Sequence, residues 1–343
     1  MKLVRISTAV ILGVIMLSCA ACSLFSGSTP TSIESPTQII TAPNESTETI
    51  TRNYEWNYKR RDWTWNLSIP TSLYDYYKER PRAQTADYSI YVTHPSDDQY
   101  IQMLADNIKK AATDAKYSEK DTINLAISFV QSVPYLTDNV TTAFDEYPRY
   151  PIETLVDQEG DCEDTAILMA ALLDAMGYSV VLISPPNHMA VGILGIEGMS
   201  GTYWDHNGGK YYYIETTGSN WEVGQLPAEY TGKTAHIYDI IPVPILTHDW
   251  KSESSRGKLT MTVTVENLGT ATADGVYVYA GFDAGNNMLW NTKESATFNL
   301  SPDQSIVIHM ELSIPKDKYT RIQVQIVYNN YSVDKSYSTW FDT

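Results

Sequence analysis

Residues 159–177 read EGDCEDTAILMAALLDAMG. Asp161 suits a helix N-cap, because a short carboxylate accepts from backbone N–H groups of the first turn, and Asp164 stands at the third helical position. Ala166, Met169, Ala170, Leu173 and Met176 recur at helical spacing as one apolar face, and Gly177 supplies the stop. The stretch therefore predicts a helix that begins with Cys162. The other two of the chain's three cysteines, Cys19 and Cys22, lie near the N-terminus.

The segments after this helix are strands. YSVVLIS (178–184) is a continuous apolar run, and HMAVGILGI (188–196) is another, after Pro185-Pro186. A turn at Asn207-Gly208-Gly209 leads into the strand YYYIE (211–215). Before the helix, WTWNLSI (63–69) alternates Trp63, Trp65, Leu67 and Ile69 against polar neighbours, which predicts a half-buried strand. In SEKDTINLAISFVQSVPY (118–135), Ser118 and Asp121 make a capping-box variant. Ile123, Ala126, Ile127 and Val130 share a face there, so a helix runs until shortly before Pro134. Helix followed by strands makes an α+β core.

Past Pro242 and Pro244 the period changes to two. Leu259, Met261, Val263 and Val265 alternate with polar residues, as do Val276, Val278, Ala280 and Phe282. Ile306, Ile308, Met310, Leu312 and Ile314 form a third set, and Ile322, Val324, Ile326 and Tyr328 a fourth. Successive period-2 segments without a helix predict a β-sandwich.

The chain is 43% hydrophobic with 25 tyrosines, which excludes a disordered protein. Its net charge of −17 offers no basic stripe for phosphates, so nucleic acid is not an expected partner. The N-terminus, MKLVRISTAVILGVIMLSCAAC, has Lys2 and Arg5 before an apolar stretch and then small residues, the layout of a secretory signal. AAC (20–22) resembles the lipobox of prokaryotic lipoproteins, which makes Cys22 the expected lipidation site; Cys19 is the alternative. An uncleaved anchor helix and a cleaved, free protein are the other two readings. All three place the rest of the chain outside the cytoplasm, and the first ties it to a membrane through lipid.

Residues 23–52 are rich in Ser, Thr and Pro and read as a solvated tether. The expected organisation is a signal peptide at 1–22, the tether at 23–52, the α+β domain at 53–245 and the sandwich at 246–343. Sequons at Asn44, Asn66, Asn139, Asn299 and Asn330 matter only in a glycosylating host.

With Cys19 and Cys22 in the export segment, Cys162 has no disulfide partner. Outside the cell such a cysteine is either a buried inert residue or a reactive thiol. The first turn of a helix favours thiolate through its unpaired N–H groups and dipole, but Asp161, Glu163 and Asp164 oppose it. A nearby imidazolium would be needed. His94, His206, His236, His248 and His309 read as exposed, whereas His188 opens an apolar strand and is either structural or a base. Glu215 ends the strand YYYIE and is either solvent-facing or the acid that orients His188.

The segments YPRYPIETLVDQEGDCEDTAILMAALLDAMGYSVVLIS, NHMAVGI and YYYIETT resemble the core of the transglutaminase-like superfamily, in particular its prokaryotic cysteine peptidases. The resemblance spans roughly residues 115–240. It implies a papain-like order of Cys, His and acid, with Cys162 as nucleophile, His188 as base and Glu215 as orienter. The family usually has Asp at the third position, and Glu215 is one methylene longer. An oxyanion hole would need the Cys162 backbone N–H and a second donor, either Gln131 or a nearby Trp. The C-terminal stretches VTVENLGTATADGVYVYAGFDA and LSPDQSIVIHMEL resemble CARDB-type, immunoglobulin-like modules.

Zinc is disfavoured, since one cysteine and scattered histidines lack ligand spacing. No cofactor is expected, but the carboxylates at Asp157, Glu159 and Asp161 would suit calcium. Two functions follow. The first is a surface-anchored thiol enzyme that cleaves or transfers amide acyl groups of proteins or peptides. The second is a catalytically inactive domain used for binding.

Overall fold

The computed structural model describes residues 32–33, 37–38, 48–83, 85–137 and 147–343. Cys19, Cys22, the export segment and the sequons at Asn44 and Asn139 lie outside these residues. The chain divides into two compact units. One is Thr41–Val243. The other is Pro244–Thr343 with the two-residue strands β1 (Ser32–Ile33) and β2 (Thr37–Gln38).

The first unit opens with a hairpin of β3 (Thr49–Tyr58) and β4 (Arg61–Pro70). Its register pairs Thr49 with Pro70 and Arg52 with Leu67, so the strand starts inside the stretch read as tether. On β4, Trp65, Leu67 and Ile69 are buried and the residues between them exposed, as period 2 requires. Helices α1 (Thr71–Glu79), α2 (Ser89–Val92), α3 (Asp98–Asp114), α4 (Glu119–Val130), α5 (Pro151–Asp157) and α6 (Cys162–Ala175) follow. On α4 the Asp121 amide donates to the Ser118 hydroxyl at 3.1 Å, the cap expected from the sequence. A five-stranded antiparallel sheet completes the unit: β5 (Val180–Ser184), β6 (Ala190–Leu194), β7 (Tyr203–His206), β8 (Gly209–Ile214) and β9 (His236–Asp239), in the order β7-β8-β6-β5-β9. Asn207 and Gly208 both take positive φ (48° and 80°), which is the backbone a two-residue hairpin turn needs.

Helix α6 is more enclosed than one apolar stripe implies. Every residue from Glu163 to Leu173 is buried, because α2, α3, α4, α5, β5 and β6 all pack against it. Enclosure also explains the apolar residues off the predicted face, such as Ile167, Leu168 and Leu172. Gly177 takes φ +89°, and the Tyr178 amide donates back to the Leu173 carbonyl at 3.0 Å, a Schellman closure.

The second unit is all β. One sheet holds β10 (Leu246–Ser255), β11 (Lys258–Asn267) and β15 (Gln304–Ser313), with β1 and β2 on the edge of β15. The other holds β12 (Ala273–Gly285), β13 (Met288–Glu294), β14 (Phe298–Leu300), β17 (Ile322–Tyr328) and β18 (Tyr331–Tyr337). A short pair, β16 (Tyr319–Thr320) with β19 (Phe341–Asp342), stands apart. The alternating apolar sets of β11, β12, β15 and β17 meet in one core, where Met261, Val263, Val278, Phe282, Ile308 and Val324 are fully buried. This is the two-sheet packing that the period predicts.

Two histidines read as exposed are buried. The His94 ring hydrogen-bonds the hydroxyl of Tyr77, which itself donates to Asp97 at 3.0 Å. The His248 side chain is 1% exposed and joins β10 to β18. Its Nδ1 lies 2.7 Å from Asp334 Oδ2, its Nε2 lies 2.7 Å from the Ser336 hydroxyl, and the Trp250 indole donates to the same hydroxyl at 2.8 Å.

Candidate active site

Cys162 is the first residue of α6 and a free, half-buried thiol. Three interactions fix the helix start. The Asp161 amide donates to Asp164 Oδ2 at 3.2 Å, the Arg149 amide donates to Asp164 Oδ1 at 2.7 Å, and the Arg149 guanidinium pairs with Asp164 Oδ2. Arg149 and Asp164 are both buried; Arg149 supplies the charge that compensates Asp164, and it also meets Asp157 at 3.4 Å.

The β6–β8 ladder brings His188 and Glu215 together. Val191 pairs with Ile214, so one further step sets Ala190 opposite Glu215, and His188 lies just before it. His188 is not itself in the strand. It closes a turn in which its amide donates to the Pro185 carbonyl at 3.3 Å and Asn187 takes φ +58°. The imidazole Nε2 lies 3.1 and 3.2 Å from the two Glu215 carboxylate oxygens, and both side chains are buried. The Tyr230 ring stacks parallel on His188, with centroids 4.9 Å apart and 2° between the planes.

Glu215 is held on every side. Its Oε1 accepts from the Thr216 amide (3.0 Å), the Thr217 amide (2.9 Å) and the Thr217 hydroxyl (2.6 Å), and its Oε2 accepts from the Tyr213 hydroxyl (2.8 Å). Burial opposes its charge, but the hydrogen bond and charge of His188, with the bonds from Thr217, outweigh that and hold the carboxyl below its usual range. Glu215 is therefore ionised, and the imidazole nitrogen it bonds is Nε2.

Cys162, His188 and Glu215 line one cavity of about 320 Å³, together with Tyr135, Trp221, Glu229 and Tyr230. The backbone N–H of Met189, next to His188, is directed at the Cys162 sulfur. The sulfur also lies 3.1 Å from Glu163 Oε2 and donates to it. Burial first, and the adjacent Glu163 carboxylate second, push the thiol well above its ordinary range; the Met189 N–H opposes them without prevailing. The opposition expected from the carboxylates beside the helix start is thus present at Glu163, and burial adds to it.

Two further expectations change. The Gln131 amide nitrogen donates to the Glu215 carbonyl at 2.8 Å and to the Trp221 carbonyl at 3.1 Å. Both of its protons are engaged, so Gln131 is not an oxyanion donor but a tie between the Glu215 strand end and the Trp221 loop. Trp221, which lines the cavity, is the remaining tryptophan alternative. Nor do Asp157, Glu159 and Asp161 form a calcium site. Asp157 bonds Tyr74 (2.7 Å), Lys78 (2.9 Å) and Arg149 (3.4 Å), Asp161 caps α6, and among the described residues no three ligating side chains converge.

Sequence reasoning missed Glu163 as the thiol's acceptor, Tyr230 as the imidazole's stacking partner, and Tyr213 and Thr217 as supports of Glu215. Only the last pair left a local signal. Hydroxyls directly flanking an acid, as in YIETT, can bond it within the same turn.

No family model matches the chain, and no curated protein does. Several solved structures share parts of it. Legionella pneumophila LapG, in an EGTA-treated form, is 20% identical over 41% of this chain and 84% of its own, with a TM-score of 0.28. Red sea bream transglutaminase is 10% identical over 84% of this chain and 61% of its own, with a TM-score of 0.24. A CARDB domain from Pyrococcus furiosus, in complex with two metal ions, is 19% identical over 28% of this chain and 87% of its own, with a TM-score of 0.21.

Proposed function

We propose that the chain is a surface-anchored thiol enzyme that attacks amide carbonyls of proteins or peptides, as hydrolase first and amine transferase second. The observation that carries this reading is the cavity, in which a free thiol at a helix start shares a wall with a carboxylate-bound imidazole. Cys162 Sγ adds to the carbonyl carbon as its proton passes to His188 Nδ1, and Glu215 stabilises the imidazolium. The Cys162 backbone N–H, unpaired within the first helical turn, and the Trp221 indole N–H would receive the oxyanion. Collapse breaks the C–N bond, and the proton on Nδ1 leaves with the amine. Water then adds to the thioester and gives a proton to Nδ1, which returns it to sulfur as the acid departs. A carboxylate at the cavity, Glu229, favours the protonated form of an incoming amine, and a protonated amine is not a nucleophile; this supports water as acceptor. Anchoring through a lipid on Cys22, in a prokaryotic envelope, completes the reading.

A second reading is a binding protein, supported by the Cys162–Glu163 hydrogen bond that keeps the thiol neutral. Mass spectrometry separates the two. After incubation with candidate surface proteins, the enzyme yields cleaved, deamidated or cross-linked products, and Cys162→Ala yields none. Unaltered substrates with the wild-type chain would favour the binding reading.

A further inference from the structure

The cavity's charge and shape point to one part of its substrate. Lys and Arg are absent from its described lining. Its ionisable groups are His188, paired with Glu215, together with Cys162, Glu229 and the phenols of Tyr135 and Tyr230. Glu163 lies 3.1 Å from the Cys162 sulfur and Glu229 stands on the cavity wall, so the carboxylates outside the His188–Glu215 pair make the field at the cavity negative, and Glu229 is the one on its lining. This residue lies in the short 3-10 turn Ala228–Tyr230 and is exposed, and among the described residues no ion pair holds it. Two flanking residues are fixed. Pro227 is buried, and Tyr230 is stacked on His188, so the carboxylate is carried by an anchored turn rather than a free loop.

Three aromatic residues share that rim. Tyr135 is 52% exposed, and Trp221 and Tyr230 are half-buried. Aromatic faces with a single carboxylate favour an organic cation, above all a planar guanidinium, which stacks on rings and bonds a carboxylate in a fork. They disfavour an anionic side chain, which would find no cation other than the imidazole already bound by Glu215.

We infer that Glu229 and the aromatic rim select acyl-donor peptides that carry an arginine or lysine side chain close to the reacting carbonyl. This rests on the acyl-transfer reading above and adds to it a substrate class and a specificity-determining residue. Glu229 acts on binding, not on the reacting atoms.

The test uses the full chain and a dye-labelled hexapeptide library in which arginine, its neutral isostere citrulline, or glutamate is scanned through every position. At the preferred position, wild-type kcat/KM should be roughly 10-fold higher for arginine than for citrulline, and lower still for glutamate. Raising salt should reduce the ratio, because the exposed carboxylate is screened. In Glu229→Gln the ratio should fall towards one, and in Glu229→Lys the glutamate peptide should gain on the arginine peptide. Equal rates for arginine and citrulline in the active wild type would overturn the inference, as would an unchanged ratio in Glu229→Gln. Binding of the same peptides to Cys162→Ala, read by anisotropy, gives the preference without turnover. Arginine selectivity there, with no turnover by the wild type, would sink the acyl-transfer reading alone; absence of selectivity in both assays would sink the inference alone.

Discussion

Among the described residues each unit holds a histidine whose buried side chain pairs with a carboxylate, His188 with Glu215 and His248 with Asp334, and the two differ in what the second ring nitrogen meets. In the sandwich, His248 has Asp334 on Nδ1 and Ser336 on Nε2, and Trp250 bonds the same hydroxyl. Taken as residue types alone, Ser336, His248 and Asp334 have the makings of a nucleophilic triad. Their hydrogen bonds are instead completed within the protein, and they join strands of two facing sheets. In the first unit, Glu215 takes only Nε2 of His188, and the imidazole and a free thiol face a cavity. A carboxylate that orients imidazole is thus common to a clamp and to a candidate site. A free thiol that lines the same cavity as the imidazole is what separates them.

The comparison is broken most severely by exchanging nucleophiles. Cys162→Ala should reduce kcat/KM on a cleaved peptide by at least ~10³, whereas Ser336→Ala should leave it unchanged. Loss of turnover in Ser336→Ala would show that the sandwich histidine is catalytic.

The next largest effect belongs to the orienting acid. Glu215→Gln should reduce kcat by roughly 10²–10³ while preserving alkylation of Cys162, because the imidazolium loses its counter-charge. Glu215→Asp should also lose activity. Its carboxylate is one methylene short of a position shared by His188, Tyr213, Thr216 and Thr217. Full activity in Glu215→Asp would show that these bonds do not set the geometry.

A smaller and opposite change is expected at Glu163. Removing its charge in Glu163→Gln takes away an anion that raises the thiol pKa, so alkylation at neutral pH should speed up several-fold. An unchanged or slower rate would mean that burial alone governs the thiol.

The smallest effect concerns the clamp. Burial opposes the charge of Asp334, but the hydrogen bond and charge of His248 outweigh it and hold the carboxyl below its usual range. A carboxyl depressed on folding contributes stability that is fully present above its unfolded value near ~3.9, and that stability disappears as pH falls through the lower folded value. Partial exposure limits the contribution to about 1 kcal/mol. Hydrogen exchange of the β10 and β18 peptides in the full chain should therefore accelerate in acid, and Asp334→Asn should remove that dependence. Identical acid profiles would mean the clamp contributes nothing measurable.

What could be read from the sequence was local. Asp161, Asp164 and Gly177 bounded α6, and the alternating apolar residues of β11, β12, β15 and β17 matched the sandwich core. The order Cys162, His188, Glu215 was legible because Cys162 opens α6 and the other two stand just outside the ends of β6 and β8, which pair with each other. What could not be read depends on residues far apart in the chain. The partners of His248 stand 86 and 88 positions away, and Gln131 is tied to a carbonyl 84 positions away. No period announces such pairs. The thiol was legible only in part, for a related reason. The carboxylates that oppose its ionisation stand beside it in the chain, but desolvation by the elements that enclose α6 is not displayed by a linear pattern.

The central claim is that His188 controls the protonation of Cys162. Its most direct test is the pH dependence of Cys162 alkylation in the full wild-type chain and in His188→Ala, with mass spectrometry confirming the modified residue. The account predicts slower alkylation in His188→Ala at neutral pH and an inflection displaced to higher pH, because the thiolate would lose the imidazole that lines the same cavity while Glu163 remains beside it. Superimposable curves would contradict it and would leave Cys162 an ordinary buried thiol.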